Sequence, residues 1–457
     1  MLKFKDANVL VVKEFPNRNI SISSLMLSLG IKPHKIIYHS APHEPLNRTF
    51  HDRFDILICD QSYCQNQVKA SDLLYHLRAM RTIDDSSTII MDCLDAEVKD
   101  SAYYLSDIHI TLEDNQRNIS EQIRRTFEKK NTVWPMLLSD KEFSDCEMAK
   151  RYEFFEHHYP DYQYDFMLKR AHQYLMKREL KSATELYGAL IKEAGKKDYS
   201  LEVSFFLNAM LMNGQSEDAL ELYDKFDLSK VQFGQPFDQI GALLLLKKGH
   251  LQRGYRMLVT SGMRYGLDMT ERTLLGLIGI ILGKNEEALE HFSSNLAVSK
   301  MLKREVPQHM LNYMFALLMQ WTSNDESSSL YKKKYEHMLN EVSRLKLNEA
   351  EIQQLAVIKL HGYSLSIGNQ NAESTISTVV RKLPKLSCCC KVHALFLASG
   401  LNNKSYFTEI HSDIFNSEGV FMLQPLPPTC AALTRYMDFG QFARSMSRQL
   451  REKHLTD

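Results

Sequence analysis

The chain has 457 residues, which at roughly 100 to 200 residues per domain implies two to four domains. Lys plus Arg and Asp plus Glu each number 56, so zero net charge excludes a chain-wide pull toward nucleic acid or an anionic membrane. A 44% apolar fraction with only 12 Pro and 18 Gly argues against disorder and against a turn-dense all-β fold.

The first 130 residues alternate between strand and helix patterns. Val9 to Val12, Ile36 to Tyr38, Asp55 to Cys59, Thr88 to Met91 and Ile108 to Thr111 are short runs rich in β-branched residues. Runs of this kind suit strands buried on both faces of a parallel sheet. Between them, Ile22, Leu25, Met26 and Leu29, then Leu73, Leu74, Leu77 and Met80, recur at helical spacing, and Ile119, Ile123 and Phe127 follow the last strand. The pattern predicts an α/β doubly wound, five-stranded, flavodoxin-like domain whose site lies past the carboxyl ends of the strands. At those ends stand Lys13 and Glu14, Asp60, Cys93 and Thr111.

Over about residues 5 to 130 this order and spacing, with the phrase Phe54-Asp-Ile-Leu-Ile-Cys-Asp60, resembles the receiver domain of response regulators. The resemblance implies Asp60 as phosphoacceptor, with two acids after strand one holding Mg²⁺. Here those positions are Lys13 and Glu14, so one carboxylate remains, and Mg²⁺ at Glu14 and Asp60 is expected to bind weakly. The family's Ser or Thr after strand four is matched by Cys93, and its Lys and Pro after strand five by Thr111 and Leu112. A fixed ammonium in the metal's place predicts a Lys13 to Asp60 ion pair, and hence poor phosphate-driven switching. Cys93 to Thr111 spans 18 residues, short for the family's fourth helix. The plainer reading is that Asp60 only ends a strand.

After Trp134-Pro135 the strand signal stops, and residues 131–163 read as a partly helical linker rich in charge and tyrosine. From residue 164 small residues recur at Ala183, Ala219, Gly254 and Ala288, at intervals of 36, 35 and 34. Each is followed four residues later by a large apolar one, Tyr187, Tyr223, Leu258 or Phe292. Ala171, Leu207, Ala242 and Gly276 precede the small positions by twelve, and Gly214, Gly249 and Gly283 precede the last three by five. This register over residues 164–300 resembles the tetratricopeptide repeat, in which antiparallel helix pairs cross at small residues and stack to bury what one pair cannot. Residues 301–457 continue as irregular helical repeats with a cap.

Other signals carry less. Gly279 to Lys284 is a residue short of a phosphate loop and lacks the following Ser or Thr, so Gly283 reads as a turn. Cys388, Cys389 and Cys390 with His393 read as buried small hydrophobes rather than a zinc site. His34, His39 and His43 read as surface residues. The cysteines follow no disulfide spacing, the apolar run before Lys13 is too short for a signal peptide, and Leu274 to Leu282 falls short of the about 20 residues that span a bilayer. A cytoplasmic, non-enzymatic protein without a cofactor is expected, binding neither nucleic acid nor membrane.

Response regulators with tetratricopeptide tails, such as the VieB type, imply by resemblance a protein partner, either a histidine kinase or another response regulator. The rival expectations are a conventional receiver phosphorylated on Asp60 with Mg²⁺, and a repeat scaffold outside two-component signalling.

Overall fold

The computed structural model describes residues 3–13, 22–39, 53–63, 68–84, 86–93, 106–111, 115–138, 145–177, 179–193, 199–227, 234–247, 250–323, 328–367, 376–377, 380–381, 388–400 and 403–416. Five strands form one parallel sheet: β1 (Val9–Val12), β2 (Ile36–His39), β3 (Ile56–Asp60), β4 (Thr88–Asp92) and β5 (Ile108–Ile110). Their order is β2-β1-β3-β4-β5, the doubly wound order that reverses between β1 and β3. All five expected strands are present, because continuous β-branched runs can bury both pleat faces at once.

One row of each strand, Val9 and Val11, Ile56 and Ile58, Ile90, Ile108 and Ile110, packs with Leu25 and Met26 of α1 (Ile22–Ser28) and with Ile119, Ile123 and Phe127 of α3 (Gln116–Leu138). The alternate residues Leu10, Leu57, Ile89 and Met91 are equally buried, so the second face is covered as well. After β3 the chain makes a small antiparallel ribbon, Ser62–Tyr63 against Val68–Lys69, closed where Ala70 N–H donates to the carbonyl of Gln61 at 3.1 Å. Helix α2 (Ala70–Ala79) follows directly, and every residue from Ala70 to Leu77 is buried, the polar Ser71, Asp72 and His76 included. A helix resting on a sheet by one face leaves its polar stripe in water, so α2 is covered on its outer side too. The region between Cys93 and Thr111, where a fourth helix was in question, lies mostly outside the described residues.

Helix α3 runs unbroken across the boundary expected at residue 130. The stretch read as linker holds the end of α3, then α4 (Asp145–His158) and a single 3₁₀ turn at Pro160–Tyr162. Paired helices come next: α5 (Gln163–Lys177), α6 (Leu180–Glu193), α7 (Ser200–Met212), α8 (Ser216–Asp227), α9 (Gln235–Lys247), α10 (Leu251–Tyr265), α11 (Met269–Ile281) and α12 (Asn285–Leu302). Beyond residue 302 lie α13 (Val306–Ser323), α14 (Ser328–Val342), α15 (Glu349–Ile367), α16 (Cys388–Gly400) and α17 (Lys404–Asn416). The last part of the stretch expected as irregular repeats and a cap, residues 417–457, lies outside the described residues.

By contacts the chain divides into two units: residues up to Gly241 together with Ser261–Asp268, and Ala242–Thr260 together with the described residues from Met269 onward. No helix among the described residues is long and apolar enough to cross a membrane.

Candidate functional site

The carboxyl edge of the sheet gathers three charged side chains, and strand register explains which three. Val12 pairs with Cys59 and Asp60 pairs with Asp92, so Lys13, Asp60 and Asp92 stand abreast on neighbouring strands. Side chains alternate along a strand, and these three continue the rows of Val11, Ile58 and Ile90 on the face that α1 and α3 cover. The backbone of Lys13 still belongs to the sheet, its N–H donating to the carbonyl of His39 at 3.3 Å. Its long side chain passes Asp60, with Nζ 3.7 Å from Oδ1, and donates a hydrogen bond to Asp92 Oδ2. The three side chains are 7%, 12% and 11% exposed, so solvent screens their interaction little.

The ion pair expected between Lys13 and Asp60 is thus present as the longer of two contacts. The hydrogen bond goes to Asp92, which reading by residue type alone passed over. Counting by two from the buried Ile90 would have found it. Cys93 and Thr111 each come one residue beyond the end of the row. Cys93 N–H extends the ladder to the carbonyl of Ile110 at 2.8 Å, and its thiol lies buried 3.9 Å from the carbonyl of Met91. Thr111 is half-buried. Glu14 lies outside the described residues.

One ammonium facing two carboxylates leaves a net charge of about −1 in a site with little water. The ammonium supplies countercharge of the kind that phosphoryl chemistry on a carboxylate takes from a divalent cation. Among the described residues no group of three or more His, Cys, Asp or Glu side chains is arranged to hold a metal ion.

The repeat positions are placed as crossings. Ala183, Ala219 and Ala288 are fully buried, as are Tyr187, Leu258 and Phe292, and Tyr223 is nearly so. Tyr187 stacks on Phe205 at 5.6 Å, and His172 meets Phe205 edge-on at 4.5 Å. Tyr223 stacks on Phe237 at 4.5 Å, and its phenol end lies so close to Gly241 that a methyl group there would collide with it. A Cβ at Gly254 would stand 2.8 Å from Leu246, and one at Gly276 2.6 Å from the ring of Phe292, so both helices approach through the missing side chain. Gly214 and Gly283 adopt φ of +83° and +75°. Gln215 N–H reaches the carbonyl of Met210 and Lys284 N–H that of Gly279, the six-residue closure of a helix end. Gly249 lies outside the described residues.

Gly279 to Lys284 therefore ends α11 rather than cradling a phosphate. Lys284 Nζ holds both oxygens of Glu287, at 2.8 and 2.9 Å, and lies 4.6 Å over the ring of Tyr255. The hydrogen bonds of Lys284 and Tyr255 keep the Glu287 carboxyl below its usual range. Burial, with the neighbouring Glu287, pushes the Tyr255 phenol well up.

Two histidines were not legible as partners. His361 of α15 and His393 of α16 share a hydrogen bond, Nδ1 to Nε2, of 2.8 Å, and Phe315 stacks on His393 at 4.0 Å. Burial pulls His361 down to about 4 and His393 well below its ordinary value. Cys390 is buried as expected, while the side chains of Cys388 and Cys389 lie outside the described residues. His39 corrects another expectation, since it closes β2 in the interior rather than at the surface. His43 lies outside the described residues.

Compared with models of known protein families and with curated proteins, the chain matches none.

Proposed function

We propose that the chain is an atypical response regulator, a receiver-like domain whose pocket is closed by its own lysine, joined to tetratricopeptide-like repeats that bind a protein partner. The partner is a histidine kinase or another response regulator. The observation that carries the reading is the Lys13 ammonium bonded to Asp92 beside Asp60, at the sheet edge where receivers hold their metal. A protein so wired has its charge balance built in, so its output does not wait on phosphate. The order of sheet and strands, the small-residue crossings and the glycine-closed helix ends support the division into a control domain and a stacked recognition surface.

The test is to offer the purified full-length protein acetyl phosphate with Mg²⁺, and separately an immobilised panel of purified histidine kinases and response regulators. Kinase or regulator binding that survives Asp60→Asn and weakens with Ala219→Phe is the expected result. An acyl phosphate forming on Asp60 would make it a conventional receiver. Failure to bind any member of the panel would move it to a scaffold outside two-component signalling.

A further inference from the structure

The sheet edge brings one amine and two carboxyl groups together in the arrangement that amide formation needs. Lys13 Nζ is hydrogen-bonded to Asp92 Oδ2, and Asp60 Oδ1 stands 3.7 Å from the same nitrogen. An amine hydrogen-bonded to a carboxyl oxygen lies one C–O bond away from the carboxyl carbon, close to the near-attack separation of about 3–3.5 Å. The last torsion of an aspartate side chain is broad, so a turn of the Asp92 carboxyl presents its carbonyl face to Nζ. All three groups are nearly buried and hang from paired strands, at the end of the apolar rows of Val11, Ile58 and Ile90. Lys130 offers a contrast in the same domain. It meets the carboxylate of Asp107 at 2.6 Å and the carbonyl of Ser87 at 2.7 Å, with no second carboxylate in contact among the described residues.

We infer that Lys13 and Asp92 join in an intramolecular isopeptide bond, with Asp60 as the proton carrier. Along the existing hydrogen bond the ammonium passes a proton to the Asp92 carboxylate, and a site with little water favours the uncharged pair. The neutral Nζ attacks Cγ of Asp92, and the C–N bond forms. Asp60 takes the proton that the nitrogen sheds and returns it to the departing hydroxyl, so the C–O bond breaks and one water leaves. The net charge of about −1 is the same before and after, and ends on Asp60 alone. The reaction runs toward the amide because the partners are held at an effective concentration of roughly 10⁵–10⁸ M and the water that would reverse it is kept out. The product ties β1 to β4 across β3, between residues 79 apart in the chain. It closes a loop as a disulfide does, without depending on redox state, and makes the closure of the pocket permanent. The inference stands on the geometry of the sheet edge alone and goes beyond the proposed signalling role.

Intact mass spectrometry of the denatured full-length chain reads the bond directly and depends on no variant that must fold. After incubation at neutral pH until the mass is constant, the chain is expected to be lighter by one water than its sequence requires, and digestion to release a branched peptide joining Lys13 to Asp92. Lys13→Arg keeps the positive charge and should restore the full mass. Asp60→Asn leaves the amine and the acid in place and should slow the loss of water by about 10²-fold, the usual worth of a positioned proton carrier. A wild-type chain at its full mass overturns the proposal. So does a loss of water that persists in Lys13→Arg, the mark of a succinimide formed at an aspartate. An unchanged rate in Asp60→Asn overturns the role given to Asp60. None of these outcomes bears on kinase or regulator binding by the repeats, so failure here and failure of partner binding are separately readable.

Discussion

Lys13 reaches across a whole strand: it leaves β1, passes 3.7 Å from Asp60 on β3 and donates its hydrogen bond to Asp92 on β4. The reach lets one lysine meet acids on two different strands. A four-carbon stem reaches beyond one strand spacing of about 4.8 Å, and the side chain of Asp92 covers the remainder, so one ammonium can contact a neighbouring and a next-neighbouring carboxylate together.

That geometry sets the cost of removing it. Lys13→Met leaves two nearly buried carboxylates facing each other, and breaking a buried pair on one side costs ~3–5 kcal/mol. Urea unfolding should show a loss of that order, most of it regained in Lys13→Met with Asp92→Leu. A loss below about 1 kcal/mol for the single variant would mean that the pair is effectively solvated.

Metal binding follows the same charge count. The wild-type protein should bind Mg²⁺ and beryllofluoride feebly, because an ammonium already holds the position of positive charge. Lys13→Asp turns that repulsion into an oxygen ligand and should raise Mg²⁺ affinity by tenfold or more, in the order of ~1.4 kcal/mol. Titration calorimetry reads both, and tight binding by the unsubstituted protein would refute the idea that Lys13 stands in for the metal.

In the repeats, Gly276→Ala sets two effects against each other. Alanine favours a helix interior by about 1 kcal/mol, but its methyl would stand 2.6 Å from the fully buried ring of Phe292, which has no room to retreat. Overpacking of this kind costs ~1–3 kcal/mol, so the net change should be destabilising. The same substitution beside Phe292→Leu should cost less than the two single changes added together, and strict additivity would place the ring elsewhere.

The histidine pair predicts an acid limit. Burial lowers His361 from its ordinary 6.5 to about 4, so the unfolded chain binds the proton more readily than the folded one. Stability from this group is therefore complete above pH 6.5, falls as pH drops from 6.5 toward 4 and levels off below, a total of roughly 3 kcal/mol. His393, also depressed by burial and by its partner, acts in the same direction. Replacing both with leucine removes donor and acceptor together and should flatten the dependence of the urea midpoint on pH over that window. An unchanged slope would show that other groups carry it.

The strands, the helices over them and the repeat register were legible from residue order because each is written in a local period: continuous β-branched runs, apolar residues three and four apart, and small residues returning every 34 to 36 positions. Gly214 and Gly283 were readable as turns for the same reason, since a helix end needs a left-handed residue wherever the helix lies. Register between strands is not local. Whether Asp92 or Cys93 faces Asp60 depends on how β4 slides along β3, and a shift of one residue exchanges the two faces, so the acid that holds Lys13 emerged only from the paired strands. The burial of His39 and the bond between His361 and His393 belong to the same class. Each joins residues whose distance along the chain says nothing about their distance in space, and only packing brings them together.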